Sequence, residues 1–91
     1  MNFEWDPEKA AANKRKHGIS FEEAATVFAD PLSATYYDPA HSVGESRYIT
    51  VGMSRSGRLL FVAHTDRGEI IRIISARLAT RRERKQHEEG T

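Results

Sequence analysis

A chain of 91 residues, 38% hydrophobic and 30% charged, fits one ordinary globular domain and excludes both a second domain and long disorder. It has no cysteine, which excludes disulfides, thiolate chemistry and cysteine-ligated zinc. The formal net charge is only +1, yet from Arg72 to His87 six Arg or Lys stand against one acid, Glu83, an asymmetry that points toward a polyanionic partner.

No stretch reaches the roughly 18 apolar residues of a membrane span. The opening MNFEWDPEKAA lacks a basic segment followed by an apolar run, so no secretory signal is expected. A cytoplasmic protein without membrane contact is the expectation, with residues 1–91 as a single domain.

In chain order, FEW (3–5) predicts a short edge strand. Asp6-Pro7 predicts an N-cap with proline at the first helical position, and the helix through EKAAANKRKH stops at Gly18. Ser20 and Glu23 form a capping box for a second helix, with Phe21, Ala24, Ala25 and Phe28 on one face and Asp30-Pro31 as its end. SATYYD (33–38), RYITVGMS (47–54), RLLFVAHT (58–65) and EIIRIISARL (69–78) predict strands, and the short glycine-ended loops between the last three are hairpin signals. Thr80 and Glu83 make a second capping box that opens a C-terminal helix. The class is α+β: two N-terminal helices, an antiparallel meander of about four strands, and a C-terminal helix.

Arginine is the most unusual feature. Counting by twos puts Ile71, Ile73, Ser75 and Arg77 on one side of the last strand and Ile70, Arg72, Ile74 and Ala76 on the other. An arginine among isoleucines snorkels, pairs with a carboxylate or binds an anion; for Arg72 an ion pair or snorkelling is the simpler expectation. Arg77, at the strand end beside a helix start, joins Arg47 and Arg67 as a possible phosphate clamp at one end of the sheet. Glu45 and Arg47 face the same way, as an acid–base element beside a phosphate anchor or as a surface ion pair. The four histidines have no metal-site spacing, and no metal or other cofactor is expected. His17 caps a helix C-terminus and His64 lies within a strand. His87 sits on the basic helix.

The segments WD..K...N..KHG, SFEEA..VF.DP and IRIISAR.AT..ER, in this order and spacing, resemble the BrnT family of bacterial toxins from type II toxin–antitoxin modules. The likeness covers roughly residues 3 to 87. It implies a RelE-like ribonuclease fold, RNA as substrate, and translation arrest. It also implies a ribbon-helix-helix antitoxin, in an assembly of two toxins and two antitoxins, through which promoter DNA is bound. Residue by residue, Lys16 and His17 match KHG, Glu45 and Arg47 match HS..E.R, Arg67 matches T.R, and Arg77 matches SAR. His87 stands where the family pattern has a tyrosine.

RNA carries its own nucleophile, so a metal-independent endoribonuclease must align the 2′-OH, remove its proton, neutralise the phosphorane and protonate the leaving oxygen. Arg47, Arg67 and Arg77 are the expected phosphate ligands. Glu45 or His17 is the expected base, and His87 or His17 the acid. The competing expectation is a non-catalytic nucleic-acid-binding or regulatory subunit whose arginines only hold phosphates.

Overall fold

The computed structural model describes residues 1–90. Five strands form one sheet in the order β1-β5-β4-β3-β2, with β1 Asn2–Glu4, β2 Ala34–Tyr37, β3 Tyr48–Met53, β4 Leu59–Arg67 and β5 Ile70–Leu78. Three helices join them: α1 Pro7–His17, α2 Phe21–Thr26, which runs into a 3₁₀ turn over Val27–Ala29, and α3 Arg81–Glu89. The α+β class and the helix order agree with the sequence reading. The sheet departs from a four-stranded antiparallel meander: β1 adds to β5 in parallel, with Phe3 opposite Ile71 and Glu4 opposite Arg72, making it five-stranded and mixed. A three-residue strand carries too little hydrophobic pattern to announce its direction, which the α1–α2 excursion fixes instead.

Local chemistry explains the element ends. The Asp6 carboxylate accepts from the Glu8 N–H, Pro7 occupies the first helical turn, and Gly18 closes α1 in the left-handed region (φ 71°). Ser20 caps α2, and Thr80 with Glu83 forms a reciprocal capping box on α3.

Each sheet face has its own cover. Alternation along β4 sends Leu60, Val62 and His64 to the side of α1 and α2, where Ile19, Phe21, Ala24, Val27, Ile73 and Ala76 complete the main core. Leu59, Phe61 and Ala63 point the other way, with Ile49 and Val51, toward α3. The strand is covered on both sides, as its two apolar faces predict.

Two features were not visible in the periodicity. A bulge lies between Ala63 and His64: Ala63 pairs with Ser75 but His64 with Ile73, leaving Ile74 as the extra residue. It reverses the alternation, so Ile73 and Ala76 share the core face while Ser75 and Arg77 face α3. The second feature is Asn13. Beyond Arg72 the edge of β5 has no strand beside it. There the buried Asn13 amide donates to the Ala76 and Ile19 carbonyls (2.8 and 3.0 Å) and accepts from the Ala76 N–H (3.0 Å). One side chain thus satisfies the edge as a paired strand would.

Candidate nucleic-acid interface

The face of the sheet that carries α3 concentrates the unusual chemistry. Cross-strand pairing sets Val51, Phe61 and Arg77 in one row and Tyr36, Ile49, Ala63 and Ser75 in the next. Between this face and α3 lies a groove of about 310 Å³, floored by Ile49, Val51 and Phe61 and bounded by Tyr36, Glu83, Gln86 and His87.

Arg77 stands at one end of the groove. Its guanidinium lies 4.0 Å over the Phe61 ring and makes a bidentate pair with Glu83 at 2.8 and 2.9 Å. Hydrogen bonding to Arg77 holds the Glu83 carboxyl below its ordinary range, and the same bonds raise Arg77 further. Glu83 also accepts from the Thr80 N–H, so one carboxylate anchors both the helix start and the arginine.

At the other end of the same face, Arg67 pairs loosely with Glu45 at 3.6 Å, both side chains about half exposed. Arg47 enters β3 just before Tyr48. Its backbone N–H donates to the Ser42 hydroxyl (2.9 Å), and its carbonyl accepts from the Asp38 N–H (2.9 Å). Arg67 lies six positions beyond Phe61 along β4, roughly 20 Å in an extended strand. Arg47, Arg67 and Arg77 therefore do not meet at one rim. They stand at two ends of one face, because strand length separates what sequence counting had placed together.

Lys16 and His17 lie elsewhere. α1 crosses the edge of β5, and these two residues line a shallow hollow with Asn13, Ile74 and Ser75, apart from the groove. His87 does reach the groove. Its Nδ1 is buried and has no hydrogen-bond partner among the described residues. Arg72 pairs with its cross-strand neighbour Glu4 at 3.3 Å. His64, on the opposite face, is buried in a chain of hydrogen bonds, from Asp66 (2.8 Å) through the ring to Thr50 (2.7 Å) and on to Thr35 (2.8 Å). Burial lowers its pKa, and Asp66 opposes that shift. No group of three or more His, Asp or Glu among the described residues is arranged to hold a metal.

Sequence reasoning missed Gln86 and Glu83 as parts of the face, and it offers Tyr36 only as one of four aromatics, with Trp5, Tyr37 and Tyr48, able to stack on bases, core packing being the simpler use. Gln86 belongs to a polar helix and does not stand out locally. Glu83 was legible only as a helix cap.

A basic helix lies over the groove, with Arg77 beside it, and comparison with known proteins gives the class of the domain. A family model for toxins of type II toxin–antitoxin systems matches residues 5–83. The chain belongs to that family, described as the ribonuclease toxin BrnT. A 1.1 Å crystal structure of the Brucella abortus ribonuclease toxin BrnT is similar in fold, with a TM-score of 0.69 and 23% identity over 89% of this chain and 99% of that one. No curated protein matches the chain.

Proposed function

We propose that this toxin is a metal-independent endoribonuclease with a RelE-like mode of action. It cleaves single-stranded RNA by 2′-OH attack, stops translation in the cytoplasm, and is silenced by a ribbon-helix-helix antitoxin in a two-to-two assembly that binds promoter DNA. The observation that carries the RNA reading is the placement of Arg77 beside the α3 groove and of Arg67 at the far end of the same sheet face, with the start of β3, which Arg47 enters. A single strand laid along this face meets cationic groups at both ends and apolar surface between them.

Scission belongs at the Glu45 end. The Arg67–Glu45 pair is long and solvent-exposed, so little is lost when Arg67 turns to a phosphate. Glu45 is then free to take the proton of the 2′-OH as its oxygen attacks phosphorus, Arg47 and Arg67 neutralise the phosphorane, and water protonates the 5′-oxygen as the P–O5′ bond breaks. Arg77 is held by Glu83 and anchors a phosphate only in competition with that carboxylate. Lys16 and His17, at the edge of β5, act as outlying RNA contacts.

A second reading puts scission at Arg77, with His87 as the acid; the place of His87 in the groove wall favours it. Incubation with RNA in EDTA tests both. Fragments ending in 2′,3′-cyclic phosphate are expected. Arg67→Ala should abolish the chemical step while Arg77→Ala mainly weakens binding. The reverse ranking moves the reaction to His87. RNA that is shifted but never cut leaves a non-catalytic binding module.

A further inference from the structure

Phosphate chemistry alone does not account for the lining of the groove between α3 and the sheet. Its floor is apolar, its side wall is Tyr36, which is 53% exposed at the outer edge of the sheet, and its upper rim carries one carboxamide, Gln86. Arg77 lies beside it, over Phe61 and paired with Glu83, and Arg67 stands farther along the same face. The helix above adds Arg81, Arg82, Arg84 and Lys85.

A purely apolar partner helix would leave the Gln86 carboxamide unsatisfied, and a purely acidic peptide would leave the apolar floor uncovered. A nucleotide uses both parts. Its base needs apolar and aromatic contact with one polar edge, and its phosphate needs the basic side chains of α3 and Arg77 nearby.

We infer that this groove is a base-recognition slot, in which a single unstacked nucleobase of the RNA packs against Tyr36 and the Val51–Phe61 floor while Gln86 reads its edge. This rests on the ribonuclease reading above and adds a specificity-determining residue to it. A carboxamide presents a donor and an acceptor side by side, the pattern that pairs with the amino group and neighbouring ring nitrogen of adenine or cytosine. Of these two, adenine offers the larger face to Tyr36 and the apolar floor, and it is the preferred occupant. The volume of about 310 Å³ is ample for one base with its sugar.

The test uses the full chain and mononucleotides, which hold no internal phosphodiester to cut, so it is independent of catalysis. AMP, GMP, CMP and UMP are titrated into the isotopically labelled protein and followed by NMR. Resonances of Tyr36, Val51 and Gln86 should shift with AMP, which should bind at least about fivefold tighter than UMP, the lower bound for one good bidentate contact. Gln86→Ala should remove that preference while AMP still binds, since Gln86 is exposed and alanine favours the helix. Tyr36→Leu should weaken all four nucleotides together.

In cleavage assays, if the protein cuts RNA, Gln86→Ala should broaden the base preference at one position of the product ends. Absence of shifts in the groove with every nucleotide would overturn the slot and leave this surface to a protein partner, even if RNA is cut. Groove shifts with equal affinities would overturn the role of Gln86. A groove that binds AMP in a protein that cuts nothing would support the slot and sink the ribonuclease reading.

Discussion

Replacing Asn13 with alanine should cost this domain much of its stability, although Asn13 lies on a helix with a polar sequence. The side chain closes the bare edge of β5 through the Ala76 N–H, the Ala76 carbonyl and the Ile19 carbonyl. Removing it strands three buried backbone groups, each at roughly 1–3 kcal/mol. Better helix propensity returns at most ~0.7 kcal/mol, and water entering the edge relieves part of the rest. The net loss is about 3–5 kcal/mol, against the roughly 5–15 kcal/mol that holds a small domain together. Urea unfolding followed by circular dichroism should show the midpoint falling by roughly 2–3 M with an unchanged slope. A loss below about 1 kcal/mol would refute the strand-substitute role, since that is the scale of an ordinary solvent-exposed hydrogen bond.

Three further outcomes follow from particular contacts. Glu83→Gln keeps the capping box, because glutamine also serves at that position, but releases Arg77 from its ion pair. RNA binding measured by fluorescence anisotropy should tighten while stability falls by no more than about 1 kcal/mol for this partly exposed pair; weaker RNA binding would contradict the competition between carboxylate and phosphate. His64 is held below its ordinary pKa chiefly by burial, with Asp66 pulling back. The buried neutral ring therefore contributes stability that is whole above the unfolded value of about 6.5 and is lost as pH falls through it. Denaturation between pH 5 and 8 should show this decline, and His64→Gln should flatten it; a wild-type profile that is level in this window counts against the buried neutral ring. Gly52→Ala should destabilise by about 1–3 kcal/mol through overpacking, because a Cβ there would lie 2.8 Å from both Val27 Cγ1 and Ser33 Cβ. An unchanged melting temperature would show that the Val27–Ser33 segment yields freely.

Much of the fold was legible wherever the chemistry is local. Asp6-Pro7, Gly18, Ser20 and the Thr80–Glu83 box each mark a helix end through a bond made within a few residues, and all appear in the structure. The hairpins around Gly57 and Gly68 were equally plain. The parity of β5 was not, because one bulged residue, Ile74, reverses every assignment on one side of it and leaves no trace in composition.

The site was legible in residue type more than in arrangement. Arg77 at the strand end and Arg67 in its turn were readable as anion ligands, but their separation along β4 depends on register and strand length. The groove is assembled from β2, β3, β4 and α3, so no sequence window contains it. Asn13 in the KHG-bearing helix drew notice only as part of a family pattern. Its partner Ala76 is 63 residues away, and only the folded chain shows why an asparagine belongs there.

The central claim is that RNA lies on the α3-bearing face of the sheet, from the Arg47–Arg67 end to Arg77. Chemical-shift mapping with a short RNA whose 2′-hydroxyls are methylated, and so cannot attack, tests it most directly. The account predicts shifts at Ile49, Val51, Phe61, Arg47, Arg67, Arg77 and along α3, with the α2 surface around Glu22 and Thr26 unmoved. Shifts centred on α2 and its hairpin neighbours Ser54 and Arg58, with the groove silent, would contradict it.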